Sequence, residues 1–360
     1  MLESNAIDIQ YVPHNQIQAI LAQLEEQNRV PVLLLGHAQQ SVVSAEFTQA
    51  LIYLQSGLDS VGHNKGASCY ELWTAEGVWK QGSWSPEDDL DSCISFCSSD
   101  EYLIGSLSIQ LPSGHSLQQY SHRSYEQIID FIGHQDKTHL LRMWNYFPDI
   151  NVENNSFERY QQFCVGRHNA FSENAQTIIQ YPAASAVGSY SSSSSAKLVI
   201  VFIATKKAGV FLENPNQTSA YHYPQHYSPK SPSFARAAFY QNLNSSQLYI
   251  SGTASIVGHQ SQFHNDIVGQ TRQTIKNLEG LIEHANSQNE VRNVFDLSDS
   301  LARRPAIKVY LRNPADLAIV SPIIEEFLPD CDNICYLHAD ICRQELDIEI
   351  EMLVNNSKDS

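Results

Sequence analysis

No stretch of eighteen apolar residues occurs in this 360-residue chain, so a membrane-spanning helix is not expected. Basic residues are scarce: 22 Lys and Arg stand against 39 Asp and Glu, a formal net charge of -17. A chain this acidic repels phosphate backbones and anionic membranes. No basic stripe with interleaved aromatics counters that, so neither nucleic acid nor membrane is expected as a partner. Cysteine is equally thin. The seven, at 69, 93, 97, 164, 331, 335 and 342, are odd in number and widely spread. That is the usage of a reducing, cytoplasmic compartment and not of a disulfide scaffold. The start, Met1-Leu2-Glu3-Ser4-Asn5-Ala6, lacks the basic-then-apolar order of a secretory signal.

Cofactor signatures are missing as well. There is no Walker-type loop and no glycine fingerprint between a strand and a helix, so no nucleotide cofactor is implied. Cys93 with Cys97, and Cys331 with Cys335, have helical spacing rather than that of a zinc knuckle. His63, His115, His226, His259, His264 and His338 form no spaced ligand pair, and a metal enzyme is unsupported. Ser251-Gly252-Thr253-Ala254-Ser255 lacks the glycine that a nucleophile elbow needs two residues past its central serine. Small residues inside a strand mark a close backbone approach instead, here the floor of a ligand pocket.

What is present suffices for a sizeable core: 42% of residues are hydrophobic, enough for two domains or one large one. Ile17, Ile20, Leu21 and Leu24 predict a helix over 14–28, and Val30 to Leu35 a buried strand. Short elements are expected over 44–56 and 68–84, and a loop over 85–100. A second helical pattern runs from Tyr125 to Phe147, through Ile128, Ile132, Leu141 and Trp144. Pro148 ends it, and the polar stretch to Ser156 marks the expected boundary between an N-terminal α/β domain, 1–152, and a second domain, 153–360.

Further along, Lys197 to Thr205 and Gln247 to Val257 are β-branched strands. Asn265-Asp266 caps a helix whose face carries Ile267, Thr271, Ile275 and Leu278. Lys308 to Arg312 is a strand, Asn313-Pro314 opens a helix to Leu328, and short strands near 333–337 and 345–352 follow. The order β-β-α-β-α-β-β implies mixed strand pairing with helices packed on a sheet, an α+β fold. Ser191 to Ser195 is expected as a flexible hairpin tip. No internal sequence repeat stands out, although the similar make-up of the two halves leaves a divergent duplication open.

Near the C-terminus Glu345, Asp347, Glu349 and Glu351 alternate with Leu346, Ile348 and Ile350, the period of a half-buried strand. Most charged stripes are solvated faces, so the plain expectation is an acidic edge strand facing water. If part of the stripe lines a pocket, at least one carboxyl should have a raised pKa and could act as an acid. Arg167 follows the apolar lead-in Cys164-Val165-Gly166 in a strand-to-loop context, and Arg236 follows Phe234-Ala235. Arginines embedded this way need an anionic partner, an internal acid or a ligand carboxylate, because an unpaired buried charge is costly. Tyr160, Tyr221 and Tyr223 are either hydroxyl donors to the same ligand or ordinary half-buried aromatics.

Several segments together resemble the chorismatase family. They are Leu141-Arg142-Met143-Trp144-Asn145-Tyr146-Phe147-Pro148-Asp149-Ile150-Asn151, Gly166-Arg167-His168-Asn169-Ala170-Phe171, Pro182-Ala183-Ala184-Ser185-Ala186-Val187-Gly188, Ser231-Pro232-Ser233-Phe234-Ala235-Arg236-Ala237, Ser251 to His259, and Ala339 to Glu351. The likeness runs from about residue 141 to the end, with a weaker one before it. It implies a C-terminal domain of RidA/chorismate-mutase-like fold, compatible with the element order above, beside a divergent N-terminal α/β domain. It also implies an enzyme that removes the enolpyruvyl group of chorismate as pyruvate, with no metal and no organic cofactor.

Carried over residue by residue, the catalytic carboxyl falls on Glu349, and the substrate contacts on Tyr160 with Arg167 and Tyr223 with Arg236. Tuning positions fall on Ala254 and Cys342. Chorismate is a dianion, so two separated guanidinium anchors suit it. Burial and the neighbouring Asp347 and Glu351 are expected to hold Glu349 protonated. Cys342 resembles the branch that aromatises its substrate to 3-hydroxybenzoate, while Ala254 resembles the hydrolytic branch that yields a dihydroxycyclohexadiene carboxylate. The expected product is 3-hydroxybenzoate, with 4-hydroxybenzoate accompanying it in a further branch. A RidA-like small-molecule-binding or imine-deaminating protein is the alternative from another class. Monomer and trimer are both open.

Overall fold

The computed structural model describes residues 6–37, 50–61, 69–86, 92–154, 157–176, 180–190, 196–243, 245–289, 291, 295, 305–329 and 331–357. Strand Lys197–Thr205 shows how the sequence builds it. Val199, Val201 and Ile203 enter one hydrophobic cluster, while Leu198, Ile200, Phe202 and Ala204 enter another on the opposite face. A strand buried on both faces carries no polar alternation and reads as an apolar run.

Three sheets are assembled from such strands. The second sheet runs, in spatial order, Ala183–Ser189, His139–Pro148, Lys197–Thr205, Tyr102–Gln110, Ile94–Ser98 and Lys80–Trp84. The third runs Ile334–His338, Ala306–Leu311, Ile348–Ser357, Ser245–Ala254, Ala237–Gln241 and Val210–Leu212, with Asp59–Ser60 added at its edge. Taken along the chain, both follow one topology, including a parallel pair at the same place. The first sheet, Ile52–Gln55, Val30–His37, Cys69–Ala75 and Asp8–Pro13, reproduces the four strands at the parallel-pair end of that arrangement and lacks the last two. The duplication left open by composition is thus present as topology, in three units spanning 8–75, 80–205 and 210–357.

Each sheet carries its helices on one face. Helix α1 (Ile17–Glu26) covers the first sheet through Ile17, Leu21 and Leu24. Helices α2 (Leu117–Gly133) and α3 (Arg159–Glu173) cover the second, and α4 (Ile267–Ser287) and α5 (Leu317–Phe327) the third. The opposite faces meet in a shared core, where Leu33 and Trp73 of the first sheet join Trp144 and Val201 of the second and Tyr249 and Tyr310 of the third. Asp266 caps α4 by accepting from the Gly269 N–H, as its sequence position predicts.

The expected mixed α+β architecture is what forms, with local departures. Helix α2 ends at Gly133, and His139–Pro148 is a strand and not the second half of a long helix. Its Leu141, Trp144 and Tyr146 face the shared core, while Leu140, Met143 and Phe147 face the helices; a run buried all round looks alike in either conformation. The expected loop over 85–100 contains strand Ile94–Ser98. The second sheet takes strands from both sides of residue 152, since Lys197–Thr205 pairs with Tyr102–Gln110 and His139–Pro148. Ser191 to Ser195 lies outside the described residues. Among the described residues no helix is long and apolar enough to cross a membrane, and the cysteines form no metal-binding cluster.

Candidate active site

The strand half of the acidic stripe does not face water. Strand Ile348–Ser357 lies between Ser245–Ala254 and Ala306–Leu311, an interior position. Ile348 and Ile350 pack beneath the helices, and Glu349 and Glu351, 4% and 3% exposed, point the other way into the molecule. Glu345 and Asp347 precede the strand and take separate partners, Ser261 and Gln270. The solvated-edge expectation is therefore corrected: stacked sheets bury what a lone sheet would expose.

Glu349 opens into a cavity of about 380 Å³ at the seam between the second and third units. Helix α3 presents Tyr160, Cys164 and Arg167 to it, spaced at i, i+4 and i+7 so that they share one face. Arg167 thus sits in a helix and not at the strand-to-loop junction expected for it. Gly166 lets that helix lie close against α2, where a β-carbon would come within 2.3 Å of the Gln118 carbonyl oxygen. The third unit supplies Tyr223, Arg236, Ala254, Cys342 and Glu349. All seven residues carried over from the resemblance line this one cavity, whereas Tyr221 packs against Tyr181 and His222 outside it.

Ala254 pairs directly across from Glu349, and Gly252 lies beneath the carboxyl. A β-carbon at 252 would fall 1.9 Å from a Glu349 oxygen, so the site requires glycine there. Burial pushes the Glu349 carboxyl up to about 8, and the Glu351 carboxylate adds repulsion that Arg142 and Arg236 only partly offset. Glu351 goes the other way. Burial raises it, but Lys308 at 2.6 Å and Arg142 at 2.7 Å outweigh that and hold it ionised. Asp347, expected to help keep Glu349 protonated, is not among the groups acting on it. The result is one neutral and one charged acid on the same strand face.

The cations of the cavity have donors to spare. Arg167 is buried, with Nε and Nη2 unpartnered and its guanidinium over the Tyr125 and Phe171 rings at 5.1 and 5.3 Å. Arg236 donates through Nη2 to the Tyr223 hydroxyl at 2.6 Å and the Thr218 carbonyl at 3.2 Å, and its Nε has no partner. Among the described residues neither forms a direct ion pair with an internal acid; Glu213 acts on Arg236 electrostatically, and the unpartnered donors of both arginines leave room for a ligand carboxylate. Burial, then the neighbouring Glu349, pushes the Cys342 thiol up to about 12, so it stands as a neutral thiol.

Arg343 escaped the sequence reading although it follows Cys342 directly. Its guanidinium lies 4.0 Å over the Tyr227 ring, with Nη1 donating to the His259 carbonyl and the Ser261 hydroxyl and Nη2 free. The loop carrying both residues is held by Arg312, which donates to the carbonyls of Ile341, Arg343 and Leu346 and pairs with Asp340. Ser185, within a segment already quoted, bridges Gly252 N–H, Arg142 and Glu351. No periodic signal marks it.

A neutral buried acid in a small cavity with free guanidinium donors equips an acid catalyst for a compact anionic substrate. Comparisons with known proteins place the chain in a family. The model described as "Chorismatase FkbO/Hyg5-like, N-terminal" matches residues 71–204. A 3-hydroxybenzoate synthase of Streptomyces hygroscopicus is 32% identical over 284 residues, covering 77% of this chain and 80% of that protein. A chorismatase of Streptomyces rapamycinicus is 31% identical over 288 residues, covering 79% and 81%. The crystal structure of a chorismatase aligns with a TM-score of 0.80 at 26% identity, over 98% of this chain and all of the other. The chain belongs to the chorismatase family.

Proposed function

We propose that this protein cleaves chorismate to pyruvate and 3-hydroxybenzoate, with Glu349 as the proton donor. The observation that carries the reading is the Glu349 carboxyl: buried, raised to about 8, without a hydrogen-bond or ion-pair partner among the described residues, and lining a cavity with Arg167 and Arg236. Cleaving an enol ether requires a proton on the enolpyruvyl methylene carbon. A neutral acid supplies it, contributing roughly 10²–10⁴-fold, while orientation in the cavity lowers the barrier further. Arg167 and Arg236 bind the two carboxylates of the substrate, and the hydroxyls of Tyr160 and Tyr223 add hydrogen bonds.

Protonation leaves a cationic carbon next to the ether oxygen. The substrate's own hydroxyl then takes part, pyruvate leaves, and the ring loses a proton on becoming aromatic. That proton restores Glu349. Pyruvate and hydroxybenzoate together contain every atom of chorismate, so no water is consumed. Cys342, a neutral thiol beside Glu349, supports this aromatising course. Ala254, directly opposite Glu349, favours the second reading, in which water enters and a dihydroxycyclohexadiene carboxylate forms.

Incubation with chorismate, with pyruvate coupled to lactate dehydrogenase and the ring product identified by chromatography, tests both. Pyruvate and 3-hydroxybenzoate in equal amounts are expected. A non-aromatic diol means hydrolysis, and no pyruvate leaves a binding or imine-deaminating protein. Arg167→Lys and Arg236→Lys should each raise KM about tenfold or more, because lysine cannot make the forked contact; an unchanged KM removes that arginine from the clamp.

A further inference from the structure

Beneath the cavity lies a buried ion cluster that the proposed chemistry does not touch. Lys308 Nζ stands 3.0 Å from Glu71 Oε2 and 2.6 Å from Glu351 Oε1, and Arg142 Nη2 stands 2.7 Å from Glu351 Oε2. The Trp73 indole donates to Glu71 at 2.7 Å, and the Trp144 indole to Glu351 at 2.8 Å. All four charged groups are at most 3% exposed. Glu71 comes from the first sheet, Arg142 from the second, Lys308 and Glu351 from the third, so the cluster joins all three units.

Building this costs stability. Burying four ionised groups sets a desolvation penalty against their mutual attraction, and apolar replacements of such groups are often neutral or better. A functional return is therefore worth seeking, and it lies in the charge count. Two cations face two carboxylates, so the cluster balances its own charge and has no cation left over for a carboxylate at Glu349. Both cations are already engaged: Lys308 by two acids, and Arg142 by Glu351, Ser185 and the Met143 carbonyl.

We propose that Glu351, fixed as a carboxylate by Lys308 and Arg142, is a positioning residue that keeps the proton on Glu349 until substrate arrives. The inference rests on Glu349 being the proton donor, and it names what arms that donor. The connection is short. Ser185 Oγ donates to Glu351 at 2.5 Å and accepts from the Gly252 N–H at 2.9 Å, and Gly252 lies directly under the Glu349 carboxyl. The other titratable groups around the pair are accounted for. Arg236, Tyr160 and Cys342 face Glu349, while His37, Tyr11, Tyr146 and Tyr310 surround Glu351 and Glu71. Burial keeps those tyrosines and Cys342 neutral and lowers His37, so Arg236 is the one other charge acting on Glu349.

The test is the pH profile of kcat for Glu351→Gln beside the unaltered enzyme. The basic limb should move at least one pH unit lower, a loss of about fivefold or more in kcat at pH 8, with KM within about twofold. An unmoved limb overturns the inference. Should Glu351→Gln not fold, glutamate-carboxyl NMR on the unaltered protein decides: one glutamate carboxyl titrating above pH 7, absent from Glu349→Gln, is expected. Two such carboxyls, or none, sink the idea. Failure of the underlying reading looks different, because Glu349→Gln would then retain turnover.

Discussion

At position 349 the chain holds a carboxyl in surroundings that oppose its ionisation. Its folded-state pKa, about 8, lies above the ordinary glutamate value of about 4.3. For a raised group the folded state binds the extra proton between the two values. Its contribution is complete below about pH 4.3 and is lost as pH rises through 8. Glu349→Gln removes this dependence. We expect the variant to gain on the parent protein by about 1.4 kcal/mol per pH unit across that window, with the gap level above pH 8. Urea midpoints of both proteins at pH 5, 7 and 9 check it. A gap that stays constant would show that Glu349 ionises normally, and with it the case for a neutral acid would fall. Turnover of the same variant should drop by roughly 10²–10⁴-fold.

At the scale of elements, the third unit was legible from Ser245–Ala254 onward, because β-branched runs and a capped helix leave local marks, whereas Val210–Leu212 and Ala237–Gln241 went unread and Lys197–Thr205 belongs to the second sheet. The acidic alternation ending in Glu351 also located the strand that brings Glu349 to the cavity. Its burial was not legible. Whether a stripe meets water or a second sheet is a tertiary fact, and here the other units close over Glu349 and Glu351. Arg167 was singled out for its apolar setting, yet its helix was missed, since the α3 sequence is largely polar and carries the weak helix former Gly166 in its middle. The loop 339–347 shows the same limit. Nothing local indicates that Arg312 satisfies three of its carbonyls at 2.9 to 3.2 Å, because those partners lie about thirty residues away in the sequence. Leaving such groups unpaired costs about 1–3 kcal/mol each. Arg312→Met should therefore lower stability by about 2–4 kcal/mol and reduce kcat, since Cys342 and Arg343 ride on this loop. Thermal unfolding and turnover measured on one preparation test the pairing. Lost stability with unaltered kcat would mean that the loop does not position the site.

The whole molecule brings two full copies and one partial copy of one topology around a common core, and the ion cluster at their junction ties the Glu349 strand to the first sheet, whose residues carried the weaker family likeness. Glu71 is the tie. Burial raises its carboxyl, but Lys308, His37 and Trp73 outweigh that and bring it down to about 2, so its contribution is present above the ordinary glutamate value and lost as pH falls toward 2. The cluster makes an uneven prediction for substitution. Lys308→Met leaves the buried Glu71 carboxylate without its lysine, while Glu351 keeps Arg142, and should cost about 3–5 kcal/mol. Glu71→Gln leaves Lys308 still paired with Glu351 and should cost less. The double variant removes one charge of each sign, keeps the Glu351–Arg142 pair, and should be more stable than Lys308→Met alone. Urea midpoints for the four proteins at pH 7 complete the cycle. If the two single costs simply add, Glu71 and Lys308 are not energetically coupled, and the first sheet serves the site as packing and not as a counter-charge.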